Sequence, residues 1–298
     1  MSRVMVLGAT GMLGSAVFRL AQARGLAVTG TTTSRMNVPD AFGDRVSTFD
    51  GSGTALGQLL AEFRENDYVV NCVGLIKHHI DESERDSRLQ AIALNATLPH
   101  SLDRLASRGG FRVIQIATDC VFSGLTGAYS ELDPHDAFDV YGKTKSLGEV
   151  PSQNFLHLRA SIIGRELRTH RSLVDWALLQ DRGARVTGYT DHRWNGVTTV
   201  AFARIALGLI EQGNWRPGTA HLVPSDVLSK YELLQSVYRS FRRDDIELIP
   251  TATGDPVDRS LVTTNPQMNR EFWRDGGYSV IPTIEQLIEE LTIEQGAM

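Results

Sequence analysis

A glycine-spaced turn near the head of the chain, Gly8-Ala9-Thr10-Gly11-Met12-Leu13-Gly14, limits the fold more than any other feature. It follows the apolar run Val4–Leu7 and opens a stretch in which Met12, Leu13, Ala16, Val17, Leu20 and Ala21 recur at helical spacing until Gly25. Glycines placed between a strand and its helix let the backbone approach a pyrophosphate at the helix N-terminus. The spacing, Gly-x-x-Gly-x-x-Gly, differs by one residue from the Gly-x-Gly-x-x-Gly form, and a purely structural turn could use the same glycines. Position favours a nucleotide: the loop sits after a strand and before an amphipathic helix.

The rest of the first half keeps that rhythm. Apolar runs at Leu26–Thr31, Val46–Phe49, Tyr68–Val73, Arg112–Ala117 and Phe155–Leu158 read as strands, and Thr54–Arg64 and Ser83–Ser107 as helices, the second bent near Pro99. Such alternation predicts an α/β fold, a Rossmann-type doubly wound parallel sheet. Beyond Gly164 the pattern loosens into α+β: helices over Leu173–Leu179, Thr198–Ile210, Lys230–Phe241 and Ile284–Leu291, and a strand at Thr219–Val223. The expected division is residues 1–164 as a nucleotide-binding domain and 165–298 as a smaller α+β substrate-binding lobe, with about 197–212 packing back on the first.

A net charge of −5 supplies no basic field for nucleic acid or an acidic membrane surface. Because Arg3–Leu7 runs directly into the glycine loop, no signal peptide is expected, and no apolar run approaches the ~20 residues that span a bilayer. With two cysteines, Cys72 and Cys120, and no disulfide framework, a cytoplasmic location is expected.

The end of the second strand bears on cofactor choice. NAD sites commonly place an acid there, about twenty residues past the glycines, to accept from the ribose 2′-hydroxyl. Here the segment is Gly30-Thr31-Thr32-Thr33-Ser34-Arg35, without a carboxylate. Ser34 and Arg35 suit a 2′-phosphate, because a guanidinium pairs well with phosphate; the expectation is NADP, with NADPH preferred over NADH. Asp50, ending the third strand, could reach the adenine or simply form a turn before Gly51.

Further along, Tyr141 and Lys145 lie four residues apart in Val140-Tyr141-Gly142-Lys143-Thr144-Lys145. On a helix they share one face. The chain has only four lysines and seven tyrosines, and no other Tyr has a Lys four positions on. A neighbouring ammonium would favour phenolate and ease proton transfer from the phenol.

Taken in order, these motifs resemble the extended short-chain dehydrogenase/reductases, and more narrowly the dTDP-4-dehydrorhamnose reductase-like group. The matching residues are the glycine loop, Asn71-Cys72-Val73-Gly74, Asn95, Ala117-Thr118-Asp119-Cys120-Val121-Phe122-Ser123-Gly124, Tyr129-Ser130-Glu131, Tyr141 through Lys145 with Gly148-Glu149, and Leu158-Arg159-Ala160-Ser161. Looser matches follow at Arg193-Trp194-Asn195-Gly196-Val197-Thr198 and Asp258-Arg259-Ser260. The resemblance implies that Tyr141 donates a proton to a ketone oxygen, that Lys145 holds the nicotinamide ribose, and that Thr118 orients the same oxygen. It implies cofactor contacts from Gly8, Thr10, Gly11, Met12, Leu13 and Gly14, from Cys72, Val73 and Gly74, and from Asn95, Tyr141 and Lys145. Ser161 matches a segment lining the nicotinamide.

Relatives that dehydrate nucleotide sugars carry Asp-Glu after the Thr; Cys120 replaces the Glu, so dehydration is not expected. In GDP-fucose synthase-like enzymes a cysteine at the matching place works with a histidine to epimerise carbons beside the ketone. Cys120 with His170 is the corresponding candidate here, against a small thiol that only packs. The implied function is NADPH-dependent reduction of a nucleotide-linked 4-keto-6-deoxysugar, for polysaccharide or deoxysugar biosynthesis. The alternatives are an epimerase or epimerase/reductase using Cys120, and a non-catalytic regulatory subunit such as the methionine adenosyltransferase partner of this fold. Candidate substrate-binding residues are Lys77, Arg168, Arg193, Trp194, Asn195 and Arg259. No metal is expected, since His78-His79 lacks ligands at a suitable spacing. A homodimer is compatible with the fold.

Overall fold

The computed structural model describes residues 2–51, 53–168 and 170–296. Its strands are β1 (Arg3–Leu7), β2 (Ala27–Thr32), β3 (Val46–Thr48), β4 (Tyr68–Asn71), β5 (Arg112–Ala117), β6 (Phe155–Arg159), β7 (Ile162–Ile163), β8 (Arg185–Tyr189), β9 (His192–Trp194), β10 (Val197–Thr198), β11 (Gly218–His221), β12 (Leu228–Ser229), β13 (Glu247–Thr251) and β14 (Val257–Asp258). Its helices are α1 (Met12–Ala23), α2 (Gly53–Leu59), α3 (Arg85–Ile92), α4 (Leu98–Gly109), α5 (Val140–Leu147), α6 (Leu173–Leu178), α7 (Thr199–Gln212), α8 (Lys230–Ser240), α9 (Pro266–Asp275) and α10 (Ile284–Gly296).

Seven strands form one parallel sheet in the order β11-β6-β5-β4-β1-β2-β3. The α/β doubly wound expectation is borne out. Successive side chains of a strand point to opposite faces, and β1 shows the result: Val4 and Val6 pack with α1 and α7, Met5 and Leu7 with α2 and α4. Both faces are therefore covered, as parallel strands require. The chain runs outward from β1 to β3, then returns beside β1 as β4. That reversal opens a crevice at the carboxyl ends of β1 and β4, where ligands bind in sheets of this kind.

Two segments from beyond residue 164 complete this layer. Helix α7 is apolar almost all round, with ten residues from Val200 to Ile210 buried, so it must be enclosed on several sides. It packs on α1 and α9; a Cβ on Gly208 would stand 1.9 Å from the Asp275 carbonyl oxygen. The strand expected at Thr219–Val223 is β11, and it pairs with β6 in the large sheet rather than in a separate lobe. Helix α9 went unread in the sequence, although Asn265-Pro266 marks its start: Asn265 caps it by accepting from Met268 N.

The long helix expected over Ser83–Ser107 is interrupted by a π-helical turn, Ala93–Thr97, rather than bent at Pro99 itself. Pro99 has no N–H to donate to the Asn95 carbonyl. That oxygen instead meets Gly148, whose added Cβ would lie 2.0 Å from it. Helix α2 also ends earlier than expected, at Leu59.

The junction between β6 and β11 carries a buried charge network. Arg159, 1% exposed, donates to Glu149 at 2.5 Å, to His135 at 2.8 Å and to His221 Nε2 at 2.6 Å. Because Nε2 accepts, His221 Nδ1 carries the proton and donates to the Val262 carbonyl at 2.6 Å. Burial, then Arg159, push His221 down to about 4. A histidine whose folded pKa is depressed contributes stability that is present above its unfolded pKa of ~6.5 and lost as pH falls through its folded value. Urea unfolding should therefore show stability falling between pH 6.5 and 4, by up to about 3 kcal/mol from this group. In His221→Asn that slope should become shallower; an unchanged slope would place the acid sensitivity elsewhere.

Candidate active site

The glycine loop sits at the crevice. Gly8 takes a φ of +78°, a conformation that costs a glycine little. Gly11 precedes α1 with no side-chain cap, leaving the first N–H groups of the helix open. Gly14 brings α1 against the loop: a Cβ there would stand 2.1 Å from the Gly8 carbonyl oxygen. The loop is tied to β2 through Gly8 N to Thr31 Oγ1 at 3.0 Å and Thr10 Oγ1 to Thr32 Oγ1 at 2.8 Å. Leu13 is buried in the core below, and Met12 is half-buried.

Across the crevice runs Cys72-Val73-Gly74, with Val73 Cγ2 close to Gly8. Burial pushes the Cys72 thiol up to about 12. Asn95, in the π-turn, clamps this segment to α5. It accepts from Leu75 N at 2.8 Å, donates to Leu75 O at 2.9 Å and donates to Thr144 Oγ1 at 3.1 Å. Its amide is thus engaged by the protein, and the cofactor contact expected for it becomes a positioning role. A π-turn at such a place fits the habit of these distortions to occur at functional sites.

Helix α5 begins at Asp139, whose Oδ1 accepts from Gly142 N at 2.7 Å. Lys77 pairs with the other carboxylate oxygen at 2.8 Å, so it braces this cap instead of reaching toward a sugar. One turn apart on α5, Tyr141 and Lys145 both face inward. The Thr118 side chain acts on the Tyr141 phenol and eases its ionisation. Lys145, 7% exposed, donates from Nζ to the Ile116 carbonyl at 3.0 Å, near Gly74. Burial lowers the Lys145 ammonium to about 8.

Burial, followed by the charges of Cys120 and Asp119, raises the Tyr141 phenol above its ordinary value. The sequence argument expected Lys145 to favour phenolate; instead desolvation dominates and the phenol stays protonated. Thr118 caps the short turn Asp119–Val121, accepting from Cys120 N at 3.2 Å and donating to Asp119 Oδ1 at 3.1 Å. Burial and the neighbouring Asp119 push the Cys120 thiol up to about 12. The groups charged or polar that act on or feel that thiol are Asp119, Arg259, Thr118, Tyr141, Lys145 and Lys230. His170 is turned to Asp175 at 3.7 Å and does not figure among them.

On the adenosine side, Ser34 is half-buried and Arg35 is exposed, at 3.7 Å from Asp44. Arg35 borders a hollow of about 230 Å³ shared with Val38, Pro39, Asp40, Gly43 and Val46. Arg168 donates to the Met36 carbonyl at 2.8 Å, which places it beside this loop and away from the substrate groups it was grouped with. Asp50 is exposed, just before the Gly51 turn.

The second-lobe candidates divide. Asn195 is pinned to the backbone of Leu261 by two hydrogen bonds, at 2.7 and 2.8 Å, and holds loops together. Trp194 is 4% exposed, donates to Ser161 Oγ at 2.7 Å and has the Lys230 ammonium over its ring at 5.2 Å, so it offers no open face for a base. Arg193 is exposed on β9. Arg259, half-buried, donates to the carbonyls of Phe122 at 2.9 Å and Ser123 at 3.0 Å. Lys230 was not singled out in the sequence, yet its charge acts on both Asp119 and Cys120.

The description "RmlD substrate binding domain" matches residues 2–295. The chain belongs to that family. The resemblance to the extended short-chain dehydrogenase/reductases is borne out. Among curated relatives, the dTDP-4-dehydrorhamnose reductase of Streptomyces griseus is 34% identical over 148 residues, 49% of this chain and 43% of that protein. Methionine adenosyltransferase 2 subunit beta of Rattus norvegicus is 26% identical over 277 residues, 90% of this chain and 80% of that protein. Among solved structures, the dTDP-4-dehydrorhamnose reductase of Bacillus anthracis in complex with NADP aligns at a TM-score of 0.76 with 18% identity, covering 99% of each chain. In this member of the RmlD family, no helix among the described residues is long and apolar enough to cross a membrane.

Proposed function

We propose that this chain is an NADPH-dependent reductase of a nucleotide-linked 4-keto-6-deoxysugar. The observation that carries the reading is the placement of Tyr141 and Lys145 one turn apart on the inward side of α5, with Thr118 acting on the phenol and Lys145 reaching the end of β5, across from an uncapped helix N-terminus. Residues 1–164 supply the cofactor side and residues 165–298 the substrate side, with α7 and β11 returned to the sheet layer.

The residues fit NADP. Gly11 carries no Cβ at the start of α1, and the open N–H groups of that helix suit the charge of a pyrophosphate. Ser34 and Arg35, with Arg168 nearby, would hold the 2′-phosphate after β2, whose end carries no acidic residue. The Bacillus anthracis protein with NADP bound has the same fold, which supports the choice. The chemistry that NADPH would supply here, when bound, is a hydride for the ketone carbon. Tyr141, protonated by its burial, donates its proton to the forming alkoxide; Thr118 orients the same oxygen, and Lys145 reaches the nicotinamide ribose. Arg193, exposed on β9, is the arginine whose fork is free to take the substrate diphosphate, while Arg259 holds the Phe122 and Ser123 carbonyls beside the site.

Epimerisation through Cys120 finds less support, since a buried thiol pushed up to about 12 is a poor base and His170 is engaged by Asp175. A purely regulatory subunit has no use for a phenol and an ammonium turned inward on one helix face. The test is NADPH oxidation against UDP-, dTDP-, GDP- and CDP-linked 4-keto-6-deoxysugars. Turnover of at least one is expected, with NADH poorer than NADPH; inertness toward the whole panel would sink the reading.

A further inference from the structure

Helix α5 carries the proposed proton donor, Tyr141, as its second residue, and its two ends are held differently. The far half is fastened from within the fold. Lys145 Nζ donates to the Ile116 carbonyl at 3.0 Å, and Asn95 donates to Thr144 Oγ1 at 3.1 Å. The near end lies between two other segments. On its inner side is the short turn that begins at Thr118: a Cβ on Gly142 would press on the Cys120 carbonyl oxygen, and Ala137 N donates to Val121 O at 3.1 Å.

On the outer side stands the exposed loop that follows β4. From it, Glu82 Oε1 accepts from the Val140 N–H at 3.0 Å, the amide immediately before Tyr141. The loop is braced to present that carboxylate. Arg88 donates to the carbonyls of Glu82 at 2.7 Å and Ser83 at 2.9 Å, and Asp81 accepts from Ser83 N at 3.0 Å. The amide of a first helical residue has no partner within its own helix, and carboxylates are favoured beside it. Asp139 already places one carboxylate at this helix end, accepting from Gly142 N at 2.7 Å. The Lys77 ammonium, from the same outer loop, meets Asp139 Oδ2 at 2.8 Å. It offsets that charge, so Glu82 can bring a second carboxylate to the same end.

We propose that Glu82 is a positioning residue for Tyr141, holding the start of α5 from outside against the turn that carries Thr118. The assignment rests on the reductase reading above. Glu82 acts through a backbone amide, so it governs how the phenol meets the ketone oxygen and not how the sugar or NADPH is bound. Rates fall steeply when a reacting group is displaced by a fraction of its contact distance. Because Glu82 is exposed, its loss leaves the core intact.

The experiment compares wild type with Glu82→Ala and Glu82→Gln, using a nucleotide sugar that the wild type reduces. The readouts are kcat, KM, the NADPH dissociation constant, the melting temperature and hydrogen exchange of the Val140 amide by NMR. In Glu82→Ala that amide should exchange at least ~5-fold faster, because it loses its acceptor. The kcat should fall at least ~5-fold, with KM, cofactor affinity and melting temperature as in wild type. Glu82→Gln keeps an acceptor oxygen at the same reach and should recover most of both losses. Unchanged exchange at Val140 in Glu82→Ala would overturn the proposal, and so would faster exchange with kcat unaltered. A loss of kcat shared by cofactor affinity and melting temperature would also overturn it, since that pattern belongs to general loosening of the fold. Faster exchange in the variant, with a wild type inert toward every nucleotide sugar, would keep the hold on α5 and remove only the reductase reading.

Discussion

Replacement of Tyr141 by Phe should lower kcat by about 10² to 10⁴, the range general acid catalysis contributes, while NADPH binds as in wild type. The ring stays packed and only the proton is lost. In the structure the phenol is the acidic group that interacts with Thr118, and its burial keeps it protonated. Cys120, the other buried group near the ketone position that carries a dissociable proton on an uncharged atom, is a poor substitute because its thiol already leans toward Asp119 at 3.7 Å. Stopped-flow measurement of the hydride step, with fluorescence titration of NADPH, separates the outcomes. A variant that reduced sugars at the wild-type rate would assign the proton to another group.

The second large effect belongs to Gly14. An alanine methyl there would enter within 2.1 Å of the Gly8 carbonyl oxygen, 2.7 Å of its carbon and 3.2 Å of the Ala9 Cα. All three are backbone atoms with no rotamer to escape into, so α1 has to move off the loop. Overpacking of this kind typically costs about 1–3 kcal/mol. The displaced helix N-terminus should also raise the NADPH dissociation constant by at least ~10-fold. Gly57→Ala is the control: nothing lies within 4 Å of its Cβ, and alanine in a helix interior stabilises by roughly 0.5–1 kcal/mol. Thermal melts of the two variants should move in opposite directions, and cofactor titrations should weaken only in Gly14→Ala. Wild-type cofactor affinity in Gly14→Ala would mean that the close approach of helix and loop is not what builds the site.

How much could be seen beforehand follows from how local each cause was. The strand–glycine–helix unit at the N-terminus and the shared face of Tyr141 and Lys145 depend on spacing within a few residues, and the sequence carried both. The strands β7, β10, β12 and β14 have two residues each, too few to display a period, and went unread. Side-chain partners were less visible still. Lys77 has the composition of a pocket residue, but its partner Asp139 stands 62 positions away. Arg168 was grouped with the substrate because of its place in the chain, whereas the fold carries it back to Met36. Lys230 looked like an ordinary helix start; only in the folded chain does its charge act on Asp119. The expectation about the Tyr141 proton erred for a related reason, since spacing reveals a neighbouring charge but not the loss of water around it.

The position of β11 has a consequence for how the molecule is made. Strand β6, with the guanidinium of Arg159 beneath it, is covered on its outer edge by residues 218–221, and α1 is covered by residues 199–212. A ribosome that has released only the first 164 residues has delivered every group proposed to do chemistry, yet the nascent sheet still has an open flank and a bare apolar helix. Unpaired strand edges of that kind invite pairing with other chains. The order of synthesis thus leaves the chemically complete half exposed until much of the remaining chain has emerged to close it.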